Sequence, residues 1–178
     1  MTIFLCGFMG CGKTTVGHEL SKQLNLPLID TDEAIVIREE MSIPEIFEKK
    51  GEPYFRKVEA ETVRSLCLKN AVVACGGGAM LNADTAAAAR ESGAAVIFID
   101  VSFEECYSRI KNDTNRPIVQ KNTKEQLREI FNSRSGIYRS NATDILASYN
   151  GELPEETAKR IIELLGINMP ESAYQETK

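Results

Sequence analysis

The stretch that decides the fold is Gly7-Phe8-Met9-Gly10-Cys11-Gly12-Lys13-Thr14, which fits the pattern G-x-x-x-x-G-K-[ST] of a phosphate-binding loop. It follows an apolar run over 2–6 and opens a helical pattern over 13–24, the context that this mechanism requires. The glycines let backbone N–H groups converge on phosphate oxygens, and the helix N-terminus adds positive potential. We expect Lys13 to reach the β- and γ-phosphates of a nucleotide and the Thr14 hydroxyl to ligate Mg²⁺. The stretch therefore predicts a P-loop rather than an incidental glycine-rich turn.

Length and composition indicate one globular domain with a small-molecule partner. The chain has 178 residues, of which 43% are hydrophobic and 26% charged, and its net charge is −5. This size suits a single domain, and the composition is typical of a folded chain rather than a disordered one. Because sequence-independent nucleic-acid binding depends on a basic surface, we expect no nucleic-acid partner.

The cysteines and the N-terminus indicate a reduced, cytoplasmic protein. The five cysteines are odd in number, no pair has C-x-x-C spacing, and His18 is the only histidine. A disulfide scaffold and a structural zinc site are therefore not expected, and His18 is expected at the surface or satisfied by neighbours. The N-terminal apolar stretch lacks a basic region and is too short to span a bilayer, so we expect a buried strand and no membrane association.

Apolar runs alternate with helical patterns along the chain. The predicted strands are 2–6, 27–29, 72–75, 96–100 and 144–147. The predicted helices are 13–24, 43–50, 53–68, 83–91, 103–110, 124–139 and 154–165. Continuous apolar strands separated by helices indicate βαβ units, and hence an α/β fold with a five-stranded parallel sheet covered by helices on both faces. We expect residues 1–167 to form this one domain.

Two stretches lie outside this alternation. Residues 112–123 are polar, contain Pro117 and show no period, which in a compact domain is typical of a lid or a binding loop. Residues 168–178 follow the last predicted helix, and we expect them to form a flexible C-terminal tail.

Asp30-Thr31-Asp32 directly follows the second predicted strand. Ligands of open α/β sheets bind beyond the carboxyl ends of the strands, so both acids are expected on the same edge as the P-loop, facing one cleft. One suits contacts to Mg²⁺ or its waters, and the other can accept a proton from a substrate hydroxyl. The competing interpretation is a helix cap, in which Thr31 or Asp32 caps a turn over 33–39. Asp100, at the end of the fourth strand, is a weaker candidate for the metal.

Glycines and arginines supply the remaining candidates. Gly76-Gly77-Gly78 follows the third predicted strand, where three glycines allow close approach of the backbone to a ligand. Arg56, Arg116 and Arg134 can provide the local positive charge that an acidic protein needs to bind phosphate or carboxylate. An arginine on a helix is more often a solvated surface group, so these three depend on their position relative to the other motifs.

In order and spacing these motifs resemble the shikimate kinase family over about residues 2–165. The elements that carry the resemblance are GFMGCGKTTVG (7–17), LIDTD (28–32), IFEKKGEPYFRKVE (46–59), GGG (76–78), NRPI (115–118) and SRSGIYRSNA (133–142). A P-loop alone is shared by a superfamily, whereas this series, with its G-E-x-x-F-R-x-x-E and R-x-x-x-Y motifs, is far more specific.

The resemblance implies transfer of the γ-phosphate of ATP to the 3-hydroxyl of shikimate, giving shikimate 3-phosphate and ADP in the chorismate pathway to aromatic amino acids. It implies a three-layer P-loop NTPase fold like that of nucleoside-monophosphate kinases, with strand order 2-3-1-4-5 and a lid over about 111–123. The implied cofactor is Mg²⁺, with ATP as co-substrate and shikimate as the other partner, and we expect a monomer.

The resemblance also implies roles for individual residues. The catalytic group is Lys13, Asp32 and Arg116, in which Asp32 binds the substrate hydroxyls and can act as a base, and Arg116 closes on the transferring phosphate. The implied ATP contacts are Gly10, Cys11, Gly12, Lys13, Thr14, Thr15, Arg109, Arg116 and Pro154. The implied substrate contacts, in a region that includes about 32–61, are Asp32, Arg56, Glu59, Gly77, Gly78 and Arg134. The implied metal ligands are Thr14 and Asp30.

The chain departs from the family pattern at a few positions. Cys11 and Thr14 stand where the family mostly has serine, and Ile118-Val119 stand where leucines are usual. The loop SYNGELP (148–154) is less family-like, so adenine contacts follow least directly from the resemblance. The alternatives are another small P-loop kinase, acting on gluconate or a nucleoside monophosphate, and a nucleotide-binding module without catalytic activity.

Overall fold

The computed structural model describes residues 1–113, 116–149 and 151–167. The strands in these ranges are β1 Ile3–Cys6, β2 Leu28–Asp30, β3 Val72–Ala74, β4 Ala95–Asp100 and β5 Asp144–Ala147. The helices are α1 Lys13–Leu24, α2 Thr31–Glu39, α3 Ile43–Leu66, α4 Ala83–Glu91, α5 Phe103–Ile110, α6 Pro117–Gln120, α7 Lys124–Asn141 and α8 Pro154–Leu164, with a short 3₁₀ turn at Ala79–Leu81. The predicted tail over 168–178 lies outside the described residues.

The strands form one parallel sheet in the order β2-β3-β1-β4-β5, which confirms the predicted α/β fold and the strand order that the resemblance implied. In the central strand, Ile3 pairs with Val72 on one side and with Ala95 on the other. Because all five strands run the same way, their carboxyl ends lie at one edge of the sheet, where the P-loop begins.

The core lies on both faces of this sheet. Side chains alternate along a strand, so Ile3 and Leu5 join one buried cluster while Phe4 and Cys6 join another. The first cluster is completed by residues of α1, α5, α7 and α8, and the second by residues of α3, α4 and α7. The sheet is therefore the middle of three layers, as predicted.

Three details differ from the predicted elements. Helix α2 begins directly after β2, because the Asp30 side chain caps its N-terminus, whereas the sequence analysis considered only a capped turn over 33–39. Helix α3 covers both predicted helices between 43 and 68, although Gly51 interrupts its helical backbone with φ 80° and ψ 168°. The stretch expected to be an irregular lid contains the single helical turn α6.

A third buried cluster joins α2 to α3. It consists of Ile35, Ile46, Phe55 and Val58, each at most 4% exposed. Arg56 and Glu59 are neighbours of Phe55 and Val58 in α3. The packing of this cluster therefore fixes the positions of Arg56 and Glu59 relative to α2.

The remaining expectations concern single residues and the membrane. His18 is exposed on α1, as expected. All five cysteines are buried, and each thiol is free. Among the described helices, none combines the length and the apolar character that crossing a bilayer requires.

We predict that Ile46→Ala destabilises the protein strongly, whereas Ile37→Ala on the neighbouring helix does not. Ile46 is fully buried, so its truncation should cost about 2–5 kcal/mol through lost burial and a residual cavity. Ile37 is 78% exposed, and its truncation should change the free energy of unfolding by no more than about 0.5 kcal/mol. Urea unfolding followed by circular dichroism measures both, and equal losses would contradict the assignment of this cluster.

Candidate active site

The P-loop connects β1 to α1 and packs directly on α5. A Cβ at Gly10 would lie 2.7 Å from the Cys106 carbonyl oxygen and 2.8 Å from a methyl carbon of Ile110, and Gly10 has φ +80°. Both the close approach and the left-handed backbone require glycine at this position. The loop is therefore packed closely against α5 at Gly10.

The N-terminus of α1 is open to an anion. Its N-cap residue, Gly12, has φ 97° and offers no side-chain cap, and the first turn contains no acidic residue. The Lys13 ammonium donates hydrogen bonds to the carbonyl oxygens of Gly7 at 3.0 Å and Phe8 at 3.1 Å, so it lies over the loop. Thr14 and Thr15 are exposed beside it. A helix N-terminus with an adjacent ammonium has the charge and the donors that bind phosphate.

A cavity of about 270 Å³ opens beside the P-loop. It brings together four residues that the sequence analysis assigned to ATP, namely Gly12, Thr15, Arg109 and Pro154. The Arg109 guanidinium is held there by a 3.0 Å hydrogen bond to the Gly10 carbonyl oxygen and by an ion pair with Glu105.

The same cavity is lined by four residues that the sequence analysis missed: Val16, Ser148, Glu152 and Thr157. Glu152 accepts hydrogen bonds from Ser148 at 3.1 Å and from Arg160 at 2.7 Å, which fix the loop between β5 and α8. A buried glutamate in a loop leaves no local sequence signal, because its partner Arg160 lies eight residues away on the next helix.

We expected Asp30 and Asp32 to face one cleft from the end of the second strand, but only Asp30 lies in β2, and Asp32 lies in α2. Asp30 is the N-cap of α2, and its Oδ1 accepts hydrogen bonds from the backbone N–H groups of Asp32 at 2.8 Å and Glu33 at 3.3 Å. The alternative in which Thr31 or Asp32 forms the cap is wrong for the same reason. Asp32 instead lies in the first turn of α2, beside the glycine loop that follows β3.

Asp32 contacts this loop closely. A Cβ at Gly76 would lie 2.2 Å from Asp32 Oδ1, so only glycine leaves room for the carboxylate. Burial, and then the negative charge of Asp30, raise the pKa of Asp32, while Lys13, Arg56 and Arg116 act in the opposite direction. The carboxylate is thus poised to hold a proton more readily than an ordinary aspartate.

Two arginines from distant parts of the chain meet at the same loop. A Cβ at Gly78 would lie 2.2 Å from Arg56 Nη1, and one at Gly77 would lie 3.9 Å from Arg134 Nη1. Arg56 also pairs with Glu59 at 2.8 Å, and the Glu59 side chain is only 6% exposed. The structure therefore gathers Asp32, Arg56, Glu59 and Arg134 around 76–78.

Two further residues, which the sequence analysis did not assign to the site, hold this loop. The Thr31 hydroxyl accepts a 2.7 Å hydrogen bond from the Gly76 N–H, and the Tyr138 hydroxyl donates one of 2.5 Å to the Gly77 carbonyl oxygen. Their signal was present in the motifs, since Thr31 stands between the two aspartates and Tyr138 ends the R-x-x-x-Y motif.

Arg116 lies at the start of α6, exposed to solvent. Its guanidinium pairs with Asp113 at 2.8 Å. Its positive charge opposes the rise in the pKa of Asp32. Asn115, which precedes it in the quoted motif, lies outside the described residues.

The weaker metal candidate, Asp100, has a partner that the sequence analysis did not assign. Its carboxylate accepts a 2.5 Å hydrogen bond from Arg139, whose guanidinium lies over the Phe98 ring. Over the described ranges, no three His, Cys, Asp or Glu side chains form a cluster that could hold a metal ion.

Comparisons with known proteins agree in pointing to one family. The family model "Shikimate kinase" matches residues 9–166. A shikimate kinase of Aquifex aeolicus (strain VF5) is 43% identical over 164 residues, which cover 91% of this chain and 94% of the relative. The structure of a shikimate kinase from Acinetobacter baumannii in complex with shikimate aligns with a TM-score of 0.83 at 33% identity, covering 92% of each chain. A deoxyadenosine kinase from M. mycoides, at 17% identity and a TM-score of 0.62, shares the fold alone.

We predict that Asp32→Asn raises the melting temperature at neutral pH. Asp32 has a higher pKa in the folded state than in the unfolded state. Its protonated side chain therefore stabilises the fold at a pH below the unfolded-state pKa, and this contribution is lost as the pH rises through the folded-state pKa. The ionised carboxylate therefore costs stability at neutral pH, and asparagine removes that cost. The gain over wild type should shrink as the pH falls below about 4.

Thermal unfolding by circular dichroism over a pH series measures this difference. Asp100→Asn is the control, because it breaks a partly exposed ion pair and should lower stability by about 0–1 kcal/mol. A melting temperature of Asp32→Asn below that of wild type at neutral pH would contradict the prediction.

Proposed function

This chain belongs to the shikimate kinase family, and from that premise we propose how its residues transfer the γ-phosphate of ATP to the 3-hydroxyl of shikimate. The observation that carries the proposal is the convergence of Asp32, Arg56 and Arg134 on the glycine loop, at the sheet edge where the P-loop also begins. One edge thus offers a phosphate site and, beside it, a site with a buried carboxylate and two arginines.

We assign the ATP phosphates to the P-loop. The backbone N–H groups of the loop and of the first turn of α1, at Gly10, Cys11, Gly12, Thr14 and Thr15, surround the phosphates, and the Lys13 ammonium neutralises charge on the β- and γ-phosphates. The adjoining cavity takes the nucleoside, with Arg109 and Pro154 flanking the base. Its volume of about 270 Å³ is small, as expected for a site that receives only part of its ligand.

Mg²⁺ would be held by Thr14 and Asp30 together with the phosphates. The donor set fits the ion, because Mg²⁺ prefers oxygen ligands, keeps several waters and uses few protein groups when a nucleotide is present. In the part of the chain that the structure describes, no larger cluster of ligands competes for this role. When bound, the ion neutralises charge that develops on the transferring phosphate.

Asp32 is the residue proposed to bind the reacting hydroxyl. As the hydroxyl oxygen forms its bond to the γ-phosphorus, the bond from phosphorus to the bridging oxygen of ADP breaks, and the hydroxyl proton passes to Asp32 Oδ. The raised pKa of this carboxylate, caused first by burial, supports that role. Arg116 is proposed to approach the transferring phosphate when the lid closes, and its charge then stabilises the transition state.

Arg56 and Arg134 are proposed to hold the shikimate carboxylate, while Glu59 fixes Arg56 and the Gly77–Gly78 backbone contacts the ring hydroxyls. Planar guanidinium groups match a carboxylate with two parallel hydrogen bonds, which a lysine cannot reproduce.

The five buried free cysteines support a reducing compartment such as the cytoplasm. We propose that the enzyme acts as a monomer.

A turnover assay tests the proposed function. The chain is incubated with ATP, Mg²⁺ and, in separate reactions, shikimate, gluconate or a nucleoside monophosphate. Of the three reactions, we expect only the one with shikimate to release ADP. Release with another acceptor would identify a different small kinase, and no release with any acceptor would favour a binding module.

The carboxylate contact is tested with two enzymes and two substrates. A shikimate analogue that lacks the carboxylate should lose about 2–4 kcal/mol of transition-state binding with wild type, from two charge-assisted contacts. With the Arg56→Ala/Arg134→Ala variant the analogue should lose much less, because the partner charges are already gone. The readout is kcat/KM for all four combinations, and additive losses would show that these arginines do not bind the carboxylate.

We predict that Gly78→Ala raises the KM for shikimate, whereas Gly136→Ala on α7 does not. The new Cβ at position 78 would lie 2.2 Å from Arg56 Nη1 and must displace that guanidinium, while a Cβ at position 136 meets nothing within 4 Å. Gly136→Ala should instead stabilise the helix by about 0.5–1 kcal/mol. Steady-state kinetics measure the KM for shikimate and for ATP in both variants. An unchanged KM for shikimate in Gly78→Ala would contradict the assigned position of Arg56.

A further inference from the structure

Tyr138 connects α7 to the glycine loop, and the reaction proposed above does not use it. Its side chain is 1% exposed, and its ring packs against Phe98 with the centroids 5.5 Å apart. Its hydroxyl donates a 2.5 Å hydrogen bond to the Gly77 carbonyl oxygen. Tyr138 lies four residues after Arg134 on α7, and residues at this spacing are neighbours on a helix surface.

Arg134 acts on the same phenol. Burial raises the pKa of Tyr138, and the positive charge of Arg134 acts in the opposite direction. The Arg134 guanidinium also lies near the loop, since a Cβ at Gly77 would be 3.9 Å from its Nη1. The Tyr138 phenol and the Arg134 guanidinium therefore both lie beside Gly77, in the loop proposed to bind the substrate.

From this geometry we propose that Tyr138 is a positioning residue of the acceptor site, which holds the Arg134 guanidinium and the Gly77–Gly78 peptide in a fixed relation. The inference rests on the proposed function, because it takes Arg134 and this loop to bind shikimate. Tyr138 itself touches neither the substrate nor the reacting atoms.

Peptide geometry explains what the hydrogen bond fixes. A peptide unit is planar and trans, so the Gly77 carbonyl and the Gly78 N–H point in opposite directions. While Tyr138 holds the carbonyl, the N–H is directed away from the phenol. Without the hydroxyl, two consecutive glycines, which have no Cβ to limit their backbone angles, would let this peptide turn.

In the proposed arrangement Arg134 is constrained as well, because its guanidinium lies beside the Gly77 that Tyr138 holds. Its long side chain has many rotamers, and fixing them costs entropy each time a ligand binds. A phenol oxygen one helical turn away orders the guanidinium before the ligand arrives. Both effects favour shikimate binding and leave the P-loop unaffected.

The main test is Tyr138→Phe, which keeps the ring and its packing and removes only the hydroxyl. We expect the KM for shikimate to rise about 5- to 20-fold, the effect of losing one oriented contact, while the KM for ATP changes less than about 2-fold. Tyr107→Phe is the matched control, because Tyr107 lies on α5, where its ring stacks on Phe103. Its two KM values should equal those of wild type.

A double-mutant cycle separates positioning from a general structural effect. In an Arg134→Lys background, Tyr138→Phe should raise the KM for shikimate by a smaller factor than in wild type, because the guanidinium that Tyr138 orders is already absent and only the hold on the Gly77–Gly78 peptide is left to lose. A merely structural role would lower the melting temperature and would multiply the effects of the two substitutions. Multiplied effects on KM would overturn the proposal.

A spectroscopic measurement gives a second, independent readout. The chain has five tyrosines and no tryptophan, so near-ultraviolet difference spectra report on phenol groups directly. Shikimate should change the tyrosine spectra of wild type and of Tyr107→Phe more than that of Tyr138→Phe, because its carboxylate binds Arg134 beside the peptide that the Tyr138 phenol holds. A wild-type spectrum unmoved by saturating shikimate would overturn the proposal even if Tyr138→Phe does not fold.

Different results would contradict the role of Tyr138 and the proposed function. A wild-type chain that does not phosphorylate shikimate contradicts the function itself. A wild-type chain that does, together with a Tyr138→Phe variant whose KM for shikimate is unchanged, contradicts the role of Tyr138 alone.

Discussion

β1 is the strand from which the site is built, because it pairs with β3 on one side and β4 on the other and every one of its side chains is buried. A strand covered on both faces can meet solvent only at its ends. The P-loop leaves its carboxyl end, and the glycine loop leaves the neighbouring β3 at the same edge. Parallel pairing thus brings two loops 69 positions apart, from Gly7 to Gly76, to one side of the sheet.

Local patterns were enough to predict the sheet, because each strand is a short apolar run and each connecting helix has its own period. Helix α2 was not predicted, since nine residues with exposed Ile37 and buried Ile35 give a weak apolar face, and its start depends on the Asp30 cap. The tight junction between β2 and α2 also changes the geometry of the Asp30-Thr31-Asp32 motif. Strand alternation therefore does not apply to the two acids.

The site could be predicted only as far as motifs identified its members. Gly10 and Lys13 lie within one local pattern, so their arrangement follows from the sequence. The meeting of Arg56 with Gly78, or of Arg134 with Gly77, depends on how α3 and α7 pack on the sheet, and no local signal contains that information. The lining residues Ser148 and Glu152 were missed for the same reason, because only the folded loop places them beside α1.

The net negative charge of the chain is reflected in the site, where Arg56, Arg109 and Arg116 already have carboxylate partners. Arg56 pairs with Glu52, whose side chain is 62% exposed, and with Glu59, whose side chain is 6% exposed. An exposed ion pair is worth little in water and is easily replaced, whereas a buried one orients its partner. In the proposed arrangement, a substrate carboxylate that binds Arg56 displaces the exposed Glu52 at small cost while Glu59 keeps the guanidinium in place. In the proposed site Arg116 can exchange the partly exposed Asp113 for a phosphate in the same way, whereas Glu105, whose side chain is 12% exposed, continues to orient Arg109. A chain of net charge −5 thus compensates these arginines before an anion binds.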